Sequence, residues 1–154
     1  MGVLGKLCQN AKNPPTIHLG KQALVGQHSQ RINDSALRVS DSLNLESWQR
    51  CCKHDGKEWD YLLGLQREDG ELCLAIEVHP AKSDQVDAMI GKMTAAKTFL
   101  NSQLGQNPVK AWYWIASGNM DIPKTGKERR CLQKNGLELP RKYLTLPRDL
   151  RERR

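Results

Sequence analysis

The stretch Leu72-Cys73-Leu74-Ala75-Ile76-Glu77-Val78-His79-Pro80 limits what this chain can fold into more than any other. Leu72, Leu74, Ile76 and Val78 alternate with Cys73, Ala75, Glu77 and His79, and a period of two is the period of a β-strand. One face of that strand is wholly aliphatic. The other starts small and ends in a carboxylate and an imidazole. Pro80 has no N–H to give to a ladder, so the strand is expected to stop there, with Glu77 and His79 near its C-terminal end.

A partner strand lies just upstream. Trp59 to Gln66 also reads as a strand, and Asp69-Gly70 is a favoured pair for a two-residue type I′ turn. With those two residues in the loop, Leu65 falls opposite Leu74, Leu63 opposite Ile76 and Tyr61 opposite Val78. On the other face Leu62 falls opposite Glu77 and Asp60 opposite His79. Directly opposed Cβ atoms lie ~4.5–5.5 Å apart, so Asp60, Glu77 and His79 are expected to converge at one end of one face. A slip of one residue would put Asp60 among the aliphatics, so the hydrophobic pattern opposes it.

The remaining elements follow from the helical period. Asp84 to Leu104 carries an apolar stripe of Val86, Ile90, Met93, Leu100 and Leu104, with Lys92 and Lys97 off it. Ser83 or Asp84 can cap its start, and Gly105 with Pro108 ends it. Val109 to Ser117 has little polar alternation, as in a strand covered on both faces. Its Trp112, Tyr113 and Trp114 are read as core. Strand, helix and strand make a β-α-β crossover, expected to be parallel and right-handed. Leu45, Trp48 and Cys52 share one stripe of a helix before the hairpin, with cap clusters at Asn33-Asp34-Ser35 and Asp41-Ser42. The expected class is α/β: a mixed sheet with a β-hairpin, a β-α-β crossover and flanking helices.

A chain of 154 residues suits one domain with a real core. Its net charge of +7 is uneven. Residues 1–33 carry four basic residues and no acid, and read as a basic arm or irregular loop broken by Pro14-Pro15. Residues 34–123 hold 9 basic and 13 acidic residues and form the expected α/β core. Residues 124–154 hold 11 basic and 4 acidic residues and read as a basic helix and tail on the same domain. In that last stretch Thr125-Gly126-Lys127-Glu128 is a capping-box pattern and Asn135-Gly136 a helix stop. An acidic centre between basic ends suits a carboxylate site flanked by phosphate-attracting surfaces. Lys127, Arg129 and Arg130 are the candidate nucleic-acid contacts, although a solvated helix face explains them as well.

Other chemistries find no support. There is no P-loop, no G-x-G-x-x-G after a strand, no G-x-S-x-G elbow and no H-E-x-x-H. The five cysteines lack a framework spacing and read as reduced thiols, in keeping with the cytoplasmic location expected for a chain with no membrane span and no signal-peptide core at Met1 to Asn10. Cys51-Cys52-Lys53-His54 has no second ligand pair, which argues against zinc. No apolar run approaches the ~20 residues of a membrane span.

The Asp60 and Glu77 arrangement resembles the PD-(D/E)xK nuclease superfamily, the restriction-endonuclease-like fold. Its signature is an Asp in one strand and a Glu or Asp, a spacer and a Lys at the end of the next, followed by a helix and a strand. Here the matching residues are Asp60, Glu77 and, where the family has Lys, His79. Trp59 stands where Pro often precedes the Asp. The resemblance implies that Asp60 and Glu77 hold Mg²⁺ or Mn²⁺, that His79 orients water or serves as a third ligand, and that Lys82 returns an ammonium to the site. It also implies that Glu46, on the helix before the hairpin, can add a carboxylate. The implied activity is phosphodiester hydrolysis in DNA or RNA. The alternative is the same fold without catalysis, binding nucleic acid or a protein partner, which the loss of the Lys favours.

Overall fold

The computed structural model describes residues 1–54, 56–123 and 126–150. Its elements are α1 (Val3–Cys8), β1 (His18–Leu19), α2 (Gly26–Ser29), β2 (Ile32–Asn33), β3 (Val39–Asn44), α3 (Leu45–Cys51), β4 (Tyr61–Arg67), β5 (Gly70–Lys82), α4 (Val86–Leu104), β6 (Val109–Asp121), α5 (Lys127–Asn135) and β7 (Leu144–Thr145). A five-stranded sheet runs in the order β1-β3-β4-β5-β6, and β2 pairs with β7 in a separate parallel ribbon. The first four strands of the large sheet are antiparallel to their neighbours; β6 joins β5 in parallel across α4. No helix among the described residues is long and apolar enough to cross a membrane.

The sheet separates two apolar clusters, as the period of two demands. Tyr61, Leu63, Leu65, Leu74, Ile76, Tyr113 and Ile115 pack with Ile32, Leu144 and Leu146 under the small ribbon. Leu62, Cys73, Ala75, Trp112 and Trp114 pack with α1, α3 and α4 on the other side. All three aromatics of β6 are buried. Burial pushes the Cys73 thiol pKa up, which makes it a core residue rather than a nucleophile. All five cysteines are free.

The hairpin register differs from expectation by two residues. Arg67 pairs with Gly70, Leu65 with Leu72, Leu63 with Leu74 and Tyr61 with Ile76, so Glu68 and Asp69 form the connection. Gly70 opens β5 at a φ of +136°, where residues with a Cβ are strained. A shift of two keeps every side chain on its own face. It sets Leu62 opposite Ala75 instead of Glu77.

Strand β5 also outlasts its proline. It continues to Lys82, with a register shift against β6 between His79 and Ala81. Pro80 therefore sits at a bulge, where a missing N–H costs little. Strand β6 likewise runs past Ser117 to Asp121. The crossover helix begins with a 3₁₀ turn at Ser83–Gln85, carries no side-chain cap, and ends at Gly105 in the left-handed region.

Two upstream stretches depart from expectation. Asp41 and Ser42, read as a helix cap, lie within β3; the cap of α3 is Asn44, whose Oδ1 accepts from Ser47 N at 2.9 Å. Residues 1–33, read as an arm, contribute α1, with Leu4 wholly buried. Asp41 anchors this helix by accepting from the N–H groups of Leu4 and Gly5, each at 3.0 Å. Gly64 on β4 permits the close approach: a Cβ there would collide with Asp41 Oδ1 and lie 2.8 Å from Val3 Cβ. Thr125, the expected cap of α5, and residues 151–154 of the expected charged tail (147–154) lie outside the described residues.

Candidate active site

The register shift decides which residues meet. Asp60 immediately precedes β4, and its N–H donates to Glu77 Oε1 at 3.0 Å. Asp60 Oδ2 in turn accepts from the N–H of Val78 at 3.0 Å. Each carboxylate is thus fixed by a backbone N–H of the segment that carries the other. Charge-assisted bonds of this kind orient a carboxylate firmly.

The third member is Lys92, on α4. Its Nζ lies 2.6 Å from Glu77 Oε2, with the Glu77 side chain 1% exposed and that of Lys92 24% exposed. Lys92 stands three residues after Met89 and four before Ala96, both fully buried. Positions three and four apart share a helix face, so the buried stripe of α4 aims Lys92 at the end of β5. The expected stripe, drawn through Ile90 and Leu104, put it outside. A stripe drawn through Met89, Met93 and Ala96 would have found it.

Glu77 is electrostatically strained. Its pKa is raised to about 7, first by burial and next by the neighbouring Asp60 charge; Lys92 and the Asp60 N–H oppose the rise. Two carboxylates placed together out of water disfavour double ionisation. Asp60 is half-buried, and its Oδ1 takes no hydrogen bond among the described residues.

The other expected members are placed differently. His79 lies two positions beyond Glu77, its Nε2 3.2 Å from Gln85 Oε1 and its carbonyl accepting from Trp114 Nε1. The expected pairing of Asp60 with His79 is therefore corrected to Asp60 with Glu77. Lys82 is exposed opposite Asp121, so the ammonium on Glu77 belongs to Lys92. Glu46 lies in the first turn of α3 close by, its N–H approaching the Asp60 carbonyl at 3.5 Å. Its carboxylate is paired with Arg50 at 2.7 Å. On α5, Lys127 and Arg130 are exposed and Arg129 is half-buried.

No family model, curated protein or solved structure matches this chain. Among the described residues no three of His, Cys, Asp and Glu converge as a metal-binding group. Asp60 and Glu77 remain the pair whose chemistry suits a hard cation. Mg²⁺ is commonly held by one or two carboxylates, with waters and substrate phosphates completing its shell. A cavity of about 690 Å³ beside α3, lined by His18, Asn44, Ser47 and Trp48 among others, includes none of these residues.

Proposed function

We propose that this protein is a divalent-metal-dependent nuclease-like hydrolase of phosphodiester bonds, resembling the PD-(D/E)xK superfamily, with Lys92 as the cation of its site. The observation that carries the reading is the Asp60–Glu77–Lys92 cluster, two backbone-clamped carboxylates and an ammonium at one end of the β4–β5 hairpin. Asp60 and Glu77 would hold Mg²⁺ or Mn²⁺. When bound, such an ion polarises a phosphoryl oxygen and lowers the pKa of a coordinated water.

The chain's own residues supply the rest. The Val78 and Asp60 N–H groups hold both carboxylates in fixed orientation, so metal entry would displace the Lys92 ammonium from Glu77 Oε2 rather than reorient the carboxylates. Lys92 offsets negative charge at Glu77 and offers its ammonium to the phosphate once the carboxylate is otherwise engaged. His79, held by Gln85 rather than by Asp60, stands beside the cluster as a residue that touches substrate rather than the ion. The basic face of α5 gives Lys127 and Arg130 to the nucleic-acid backbone.

One observation favours the second reading, a binding module without catalysis: the Lys92 ammonium already neutralises Glu77, as in a purely structural ion pair. Cleavage assays separate the two. Purified protein with Mn²⁺ is expected to hydrolyse single- or double-stranded DNA or RNA. Asp60→Asn should abolish that hydrolysis, and Lys92→Met should lower it about 100-fold, the scale of losing one charge-stabilising donor. Absence of cleavage on all four substrates, with fold and nucleic-acid binding intact, supports the module.

A further inference from the structure

The opposite face of the same sheet end carries a feature that the proposed chemistry leaves unused. Tyr143 is 60% exposed, one of the few large apolar side chains on this surface. The Arg31 guanidinium lies over its ring, 5.5 Å from the centroid. Arg31 does not depend on the ring for its position. Its Nη1 donates to the Ala116 carbonyl at 2.9 Å and to the Lys142 carbonyl at 3.3 Å. Its own carbonyl accepts from Leu144 N in the β2–β7 ribbon. The cation is fixed by backbone, and one ring face is covered by it. The rest of the ring is left to water.

Its place in the fold gives this platform meaning. Ala116 is the register partner of His79, and Trp114 that of Glu77. With ~3.3 Å of rise per residue and ~4.8 Å between strands, the Ala116 backbone lies on the order of 8 Å from that of Glu77. The nearest charges have the right sign: Arg31 and Lys142 are basic, while Arg141 is paired with Asp149. Aromatic rings beside cations bind single strands because every base presents a π-face, whereas bases in a duplex are already stacked.

We infer that Tyr143, backed by Arg31, is a base-stacking platform that makes single-stranded nucleic acid the preferred substrate. This rests on the nuclease reading for its link to the Asp60–Glu77–Lys92 cluster, but it can be tested without catalysis. Fluorescence anisotropy with labelled oligo-dT and a hairpin duplex, in EDTA to prevent cleavage, reads binding alone. Tyr143→Ala should weaken oligo-dT binding roughly 5- to 150-fold, the range for losing one stacked base. It should leave duplex binding within about twofold, because no base in the duplex is free to stack. Tyr143→Trp should restore binding, and Tyr143→Leu, apolar but without a π-face, should not. The side chain is exposed, so none of these changes threatens the core. Unchanged oligo-dT affinity in Tyr143→Ala, or full affinity in Tyr143→Leu, overturns the platform and leaves the nuclease reading standing. A wild type that binds neither oligonucleotide in EDTA also overturns the platform; the nuclease reading is tested separately by cleavage with Mn²⁺.

Discussion

Asp41 and Glu77 are equally buried, each 1% exposed, yet the fold treats them in opposite ways. Asp41 sits in the corner between β3 and α1 and is met by two backbone N–H groups that would otherwise lack partners. Its charge completes a helix. Glu77 meets one backbone N–H and an ammonium, but it also faces a second carboxylate, and its pKa rises to about 7. Its charge is held against the preference of its surroundings. Burial alone therefore says little about a carboxylate's role; what separates them is whether the neighbours stabilise the ion or resist it.

The widest break in this comparison should come from removing the stabilised member. Asp41→Ala orphans the buried Leu4 N–H and the Gly5 N–H and leaves a gap beside Gly64. Each orphaned group costs ~1–3 kcal/mol, so a loss of about 3 kcal/mol is expected in urea unfolding. A loss below about 1 kcal/mol would mean that α1 is held by its apolar side chains alone.

Removing the resisted charge should do the reverse. Glu77 has a folded pKa raised above its ordinary value of 4.5 to about 7. The folded state therefore holds a proton that the unfolded state gives up in this window. The associated stability is fully present below about pH 4.5 and is lost as pH rises through about 7. Glu77→Gln keeps the volume and an acceptor for the Asp60 N–H while removing the charge. It should be more stable than the wild type by about 2 kcal/mol near pH 8 without metal, and no more stable near pH 4.5. A variant less stable than the wild type at both pH values would make Glu77 a structural residue like Asp41.

The smallest effect sharpens the boundary of the site. Glu46 pairs with Arg50 across one helical turn, with Arg50 largely exposed. Glu46→Gln should cost no more than ~0.5 kcal/mol in thermal unfolding and leave Mn²⁺ affinity unchanged. A tenfold loss of Mn²⁺ affinity would add Glu46 to the ligands.

How much of this could be read from the chain depends on which contacts are local. The two faces of β4 and β5 and the helix of the crossover follow from periods of 2 and 3.6, and these appear as expected. The register does not follow, because a shift of two exchanges one aliphatic partner for another on the same face. Strand β3 is hidden by its own bulge. Val39 and Leu43, four apart, should share a face, but the register shift between Val39 and Asp41 sends them to opposite clusters. Helix α1 has six residues and an anchor 36 and 37 positions away, which no local pattern announces. Within the candidate site, Asp60 and Glu77 are legible from strand pattern. Lys92 is legible only when the helix stripe is drawn through Met89, Met93 and Ala96 instead of Ile90 and Leu104, and which stripe is buried depends on how α4 lies over the sheet.

The most direct test is calorimetric titration of Mn²⁺ into the wild type and Glu77→Gln, near pH 8 and near pH 5.5. With a Glu77 pKa of about 7, its carboxylate is ionised at the higher pH and protonated at the lower. The expected result is binding by the wild type near pH 8, at least tenfold weaker binding near pH 5.5, and none by Glu77→Gln at either. Absence of binding by the wild type near pH 8, or equal binding by Glu77→Gln, would contradict a metal site at Asp60 and Glu77.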